Sequence, residues 1–238
     1  MVKVRSDIIA QLQKELLPLQ GFKHAANDTT IDTGLGPVTD AFPNGVFPLG
    51  AIHEFIAEDA AATTGFIAGI LAALMQNDAA CLWISSSRTI FPPALHTFGI
   101  SPGKIIFVDP QKERELLWSM EEALKCTGLA AVVGELKELS FTASRRLQLA
   151  VEQSRATGFI LRAKATNATA CVTRWKITSL PGELNDNMPG VGFPRWNIQL
   201  LKVRNGKPGS WQMEWVNGKF KPVFDVASGV QELQKKVG

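Results

Sequence analysis

The sequence predicts an α/β domain in which a mostly parallel sheet is flanked by helices, with an N-terminal helix before it and antiparallel strands after it. Three observations carry this expectation. From Gly50 to Ala163, short apolar runs alternate with stretches of helical period, the pattern of a parallel sheet covered on both faces. After Ala163, strand-like runs follow one another without helices between them, joined by Gly, Pro and Asn turns. A length of 238 residues, 45% hydrophobic and 20% charged, bounds one sizeable core with short additions.

Taken in order, "SDIIAQLQKELLPLQG" opens on a capping Ser6 or Asp7 and aligns Ile8, Ile9, Leu12, Leu16 and Leu17 on one helical stripe. Residues 22–48 are rich in turn formers and read as a connector laid over the surface, with the core beginning after it. "AIHEFIA" reads as a strand, Thr63 to Met75 as a helix, "ACLWIS" as a strand, "PPALHTFG" as a short helix and "KIIFVD" as a strand. "QKERELLWSMEEALKCTG" places Leu116, Leu117, Met120, Ala123 and Leu124 on one helical face. "LAAVVGEL" is a buried strand, "TASRRLQLAVEQSRA" a helix with Leu147, Ala150 and Val151 inward, and "GFILRA" a further strand. The antiparallel set is "TACVTRWKITS", "RWNIQLLKVR", "SWQMEWV" and "KFKPVFDV". Between its first two members, Leu180 to Pro194 is rich in Pro and Gly and is expected to be a mobile loop.

No apolar run reaches the roughly 18 to 20 residues of a membrane span, and the N-terminus lacks a signal-peptide core, so a cytoplasmic protein is expected. Cys81, Cys126 and Cys171 are far apart, in apolar surroundings, and read as inert core thiols. His24, His53 and His96 have no Cys or carboxylate at metal-ligand spacing, and His53, inside a strand, reads as a satisfied structural histidine. No metal, cofactor or catalytic residue is assigned. The net charge of +3 is small, yet ten Lys or Arg against three Asp or Glu fall between Ile160 and Lys221, so the C-terminal third is basic.

"FPLGAIHEFIAE" resembles the strand entering the phosphate loop of the RecA recombinase family, and "AAVVGEL" its Walker B strand. From roughly Phe47 to Trp215 the chain more closely resembles the ImuA family, RecA-like accessory proteins of a bacterial error-prone repair cassette. "LWSMEEALKCTGLAAVVGELKELSFTASRRLQLAVEQSRATGFILR", "TRWKI" and "PRWNIQLLKVRNGKPGSWQMEW" carry that likeness. The resemblance implies a RecA-like core over residues 47–226, an N-terminal helix and connector over 1–46, and a tail over 227–238.

Carried over by position, the ATPase machinery is degenerate. The phosphate-loop lysine falls at Thr63 and its glycines at Ala57 and Ala62, and only Thr64 keeps the metal-holding hydroxyl. The catalytic glutamate falls at about Ser87, and the Walker B aspartate at Gly134 beside Glu135. No ATP hydrolysis is expected, because without that lysine the terminal phosphates lose their paired charge. Glu58 and Asp59 would also repel them. Thr63, Thr64 and Glu58 read instead as a helix cap with an acidic neighbour.

What remains is a surface. Arg174, Lys176, Arg195, Lys202, Arg204 and Lys207 interleave with Trp175, Trp196 and Trp211, the combination that tracks phosphates and stacks on unpaired bases. In the plainer reading the cations merely face solvent and the tryptophans pack inward. Arg145 and Arg146 read as a solvated helix face. The stripe Ile8, Ile9, Leu12 and Leu16 fits a partner, a second copy, or the chain's own core. The resemblance implies a non-catalytic adaptor in damage-induced translesion synthesis. Its partners would be an ImuB-like polymerase paralogue and an error-prone replicative-type polymerase, with RecA and single-stranded DNA as further candidates and the oligomeric state open. The alternatives are a SulA-like division inhibitor and an atypical RecA-like NTPase.

Overall fold

The structure, a computed structural model, describes residues 31–76, 79–87, 90–164, 167–182 and 192–223. The stripe Ile8, Ile9, Leu12 and Leu16, the middle of the loop after Leu180, and the tail from 227 lie outside these residues. Among the described residues nine strands form one sheet: β1 (Ile52–Ile56), β2 (Ala80–Ile84), β3 (Ile105–Val108), β4 (Leu129–Glu135), β5 (Thr157–Arg162), β6 (Thr173–Leu180), β7 (Arg195–Val203), β8 (Gly209–Val216) and β9 (Lys219–Pro222). Their order is β3-β2-β4-β5-β1-β6-β7-β8-β9. Pairing is parallel from β3 through β6 and antiparallel from β6 to β9. The expected mixed architecture is present, and β6 is the strand at which it changes.

Among the described residues three α-helices cover the sheet: α1 (Ala60–Leu74), α2 (Glu113–Ala123) and α3 (Phe141–Ser154). Helix α1 carries apolar or small residues almost all round, the composition of a buried helix. It sets Phe66, Ile67, Ile70 and Leu71 against Phe55, Phe159, Trp175 and Trp196 on one face of the sheet. Helices α2 and α3 are amphipathic, and their inward Leu116, Met120, Leu147 and Val151 pack with Ile52, Val132 and Ile160 on the other face. Ser140 caps α3 by accepting the Ala143 amide at 3.1 Å. Strand alternation sends neighbouring residues to opposite faces, so one strand feeds both cores. "PPALHTFG" forms a 3-10 helix, Pro92–Phe98.

Two expectations are corrected. The core does not begin after the connector: Leu35, Val38, Phe42 and Phe47 are buried within it, on and around the 3-10 turns Gly36–Ala41 and Pro43–Gly45. Turn-rich sequence hid this contribution, because 3-10 turns lack the spacing that marks an amphipathic helix. Among the cysteines, Cys81 and Cys171 are buried and Cys126 is exposed, in the turn after α2. Burial pushes the Cys171 thiol up to about 11.

His53 is fully buried, its ring stacked on Phe47 with centroids 4.4 Å apart and on Phe159 at 5.7 Å. Its Nε2 lies 2.8 Å from the Pro48 carbonyl oxygen, which only accepts, so the proton sits on Nε2. Nδ1 therefore accepts from the Thr173 hydroxyl at 2.7 Å, and that oxygen in turn accepts from Trp175 Nε1 at 2.6 Å. Burial lowers the His53 pKa from 6.5 to about 4, with the Pro48 contact opposing the shift. The folded state thus binds fewer protons than the unfolded state between those values, and stability falls as pH drops through that window. Between pH 7 and pH 5 the wild type is expected to lose roughly 2 kcal/mol of unfolding free energy in urea that the His53→Gln variant does not lose.

Candidate functional site

The link between β1 and α1 is three residues long, Ala57 to Asp59. Asp59 caps the helix: its Oδ1 accepts the Ala62 amide at 3.0 Å, and its Oδ2 accepts the Ser179 amide at 3.0 Å and the Ser179 hydroxyl at 2.6 Å. Helix α1 therefore starts at Ala60, ahead of the expected Thr63. The Ser179 hydroxyl first, then the Ala62 amide, hold the Asp59 carboxyl below its ordinary value. This anion occupies the positive end of the α1 dipole, where a bound phosphate would gain most. The capping side chain is Asp59 rather than Thr63, Thr64 or Glu58. Thr63 is buried and donates its hydroxyl to the Asp59 carbonyl at 2.8 Å. Glu58 pairs with Lys176 of β6 at 2.7 Å.

At the ends of β2 and β4, Glu135 accepts from Trp83 Nε1 at 3.0 Å through Oε1, and from Ser85 and Ser87 at 2.7 and 2.6 Å through Oε2. The side chain at Ser87 thus donates to a carboxylate where the resemblance would place one. A Cβ at Gly134 would stand 2.6 Å from Met120 Sδ, so packing of α2 on β4 fixes the absence of a side chain there.

Beside the first half of α1 lies a cavity of about 670 Å³. Small residues of α1 form its floor, and Phe91, Phe98, Phe193 and Trp196 stand around it. Gly65 is part of the floor because a Cβ there would come within 3.3 Å of Trp196 and 3.4 Å of Phe98. Its lining is mainly apolar, apart from groups such as Thr64 and Ser179.

Of the basic segment, the six candidate cations Arg174, Lys176, Arg195, Lys202, Arg204 and Lys207 lie on β6, β7 and the turn after β7. Trp175, Trp196 and Trp215 are buried on the α1 face, whereas alternation sends Arg174, Lys176 and Arg195 to the opposite face. Arg174 Nε bonds the fully buried Glu54 at 2.9 Å, and its Nη2 donates to the Asn167 carbonyl at 2.7 Å. Lys202, opposite Arg174 in register, donates to the Thr169 carbonyl at 2.7 Å, and Arg204 to the Ala170 carbonyl at 2.7 Å. Burial holds both of these cations below their ordinary pKa values. Together the three bind the backbone of Asn167 to Ala170, which is why β6 begins at Thr173 rather than at Thr169. Arg195 pairs with Glu214 at 2.9 Å, directly across the β7 to β8 ladder. Lys207 is exposed on the turn after β7. Arg146 pairs with Glu121 across α2 and α3.

No family model matches the chain. Over 194 residues it is 30% identical to Protein ImuA from two strains of Caulobacter vibrioides, spanning 74% of this chain and 80% of the relative. The chain belongs to the ImuA family. The crystal structure of the RadB recombinase matches with a TM-score of 0.58 at 12% identity, covering 82% of the ImuA-family chain and 100% of that one. That likeness shows a recombinase-type α/β fold.

Two acidic residues of this ImuA-family chain escaped the sequence reading of the site. In the sequence Asp59 reads only as a charge that would repel phosphate, although an Asp directly before a run of small apolar residues is a helix-cap signal. Glu54 gave a weaker sign: a lone acid within an apolar strand, whose partners Arg162, Arg174 and Thr169 are distant in sequence. Among the described residues no helix is long and apolar enough to cross a membrane. Replacing Asp59 with Ala removes the cap and leaves Ser179 without its acceptor, so urea unfolding should show a loss of about 1 to 2 kcal/mol, with Asp59→Asn recovering part of it.

Proposed function

We propose that this ImuA-family chain is a RecA-like adaptor in translesion synthesis, acting by binding and orientation without hydrolysing ATP. The observation that carries the reading is the kinship with Protein ImuA over 194 residues. Its partners in this reading are an ImuB-like polymerase paralogue and an error-prone replicative-type polymerase, with RecA and single-stranded DNA as further candidates. The absence of hydrolysis is supported by side chains already bonded to one another where a triphosphate would need free groups. Asp59 takes an amide at the α1 N-terminus, and Glu135 takes three donors.

DNA contact is proposed at the polar face of β6 to β9. That face carries Lys176, Arg195, Lys219 and Lys221, and Lys207 lies on the turn at its end. The buried tryptophans take no part, so binding there is electrostatic and rests on phosphate neutralisation. Arg174, Lys202 and Arg204 serve the same face indirectly, by fixing the backbone from Asn167 to Ala170.

Three measurements test this. Equilibrium binding of labelled ATP with magnesium should show no saturable site, whereas saturable binding abolished by Thr64→Ala would establish an NTPase instead. A pull-down offering an ImuB-like protein and FtsZ side by side should retain the first, and retention of FtsZ alone would make the chain a division inhibitor. Single-stranded DNA affinity should fall with salt, and the Lys176→Ala/Lys207→Ala variant should flatten the slope by about 0.7 per lost contact.

A further inference from the structure

The cavity beside α1 is formed by residues from Ala60 to Ala68 on the helix side, a run of about 12 Å along the axis. Two of its wall residues, Phe91 and Phe193, are 68% and 42% exposed, so apolar surface is left uncovered at its mouth. Its volume of about 670 Å³ falls in the ~300–1,000 Å³ range of ligand-binding pockets. An anionic occupant is disfavoured, because the Asp59 carboxylate already stands at the α1 N-terminus bordering it.

We propose that this cavity receives the chain's own N-terminal apolar stripe, Ile8, Leu12 and Leu16 with Ile9 beside them. Residues 8, 12 and 16 recur at helical spacing and extend about 12 Å, the length of the α1 floor. The described chain begins on the correct side of the sheet. Ile31 packs against the α1-side core, and a Cβ at Gly34 would stand 4.0 Å from the Phe220 ring. The same ring packs against Gly69, one helical turn of about 6 Å from Gly65 in the cavity floor. The thirteen residues from Pro18 to Thr30 span up to about 43 Å when extended, so reach does not limit docking. A tether of that length gives an effective concentration near the millimolar range, enough to close a contact that is weak between separate molecules. Docking covers the exposed rings and withholds the stripe from other proteins. The inference is independent of the translesion reading.

The test uses the full chain with Cys126→Ser, so that the remaining cysteines, Cys81 and Cys171, are buried. Leu12→Cys and Ala61→Cys are introduced together and treated with a short bismaleimide at low concentration. The expected product is an internal cross-link at monomer mass, reduced about tenfold by adding Ile8→Asp and Leu16→Asp. In a second measurement, Nile red should bind the Ile8→Asp/Leu12→Asp/Leu16→Asp variant, bind the wild type far less, and be expelled again by Ala61→Trp. Thermal melts confirm that each variant is folded. Cross-linked dimers in place of monomers would assign the stripe to a second copy and overturn docking within one chain. Absence of any cross-link, or equal dye uptake by wild type and triple variant, would overturn the proposal as well.

Discussion

A carboxylate buried in the middle of the sheet sets the terms for everything around it. Glu54 is 0% exposed on β1 and is satisfied by Arg162 on β5, Arg174 on β6 and Thr169 before β6. An unpaired ion at such depth costs several kcal/mol, so the three strands must bring those partners to it. They do so in register: Glu54 stands directly opposite Arg174, while Arg162, opposite Ile56, lies two positions along and so on the same face. A slip of one residue between β1 and β6 would send Arg174 to the apolar face and leave the charge stranded. The network therefore fixes the junction where the parallel sheet gives way to antiparallel strands. The same guanidinium of Arg174, with Lys202 and Arg204, then ties down the incoming backbone.

The fold was largely legible in the sequence, since helix and strand periods differ and Gly, Pro and Asn punctuate the changes. Strands β1 to β5 and helices α2 and α3 follow the apolar pattern within a few residues. Where the reading strayed, a long-range contact had overridden a local signal. "TACV" has the composition of a strand, but Lys202 and Arg204 claim the carbonyls of Thr169 and Ala170. Leu35, Val38 and Phe42 sit among turn formers, and only their tertiary partners reveal them as core. At the site, the missing lysine and glycines could be read by position. What filled their place could not, because Asp59 to Ser179 and Glu135 to Ser87 join residues far apart in the chain.

The distribution of satisfied and unsatisfied surface follows one rule. Close to the α1 N-terminus and the ends of β2 and β4, the carboxylates of Asp59 and Glu135 are consumed by internal donors. Immediately beside that terminus, small residues on α1 and rings around them leave an apolar hollow. On the far face of the antiparallel strands, lysines and amides meet water. The helix end is closed by internal bonds, with an apolar hollow next to it and a charged face behind it.

The aromatic cap over Trp175 has a practical consequence for anyone shortening this chain. Phe42 lies 5.9 Å from the Trp175 ring and 5.6 Å from Phe47, whose ring in turn covers His53. Trimming to residue 47 would strip Leu35, Val38 and Phe42 and let water onto the Trp175 indole. A soluble fragment has to start no later than about Ile31, and aggregation of shorter ones would reflect that opened seam rather than a failure of the nucleotide fold itself.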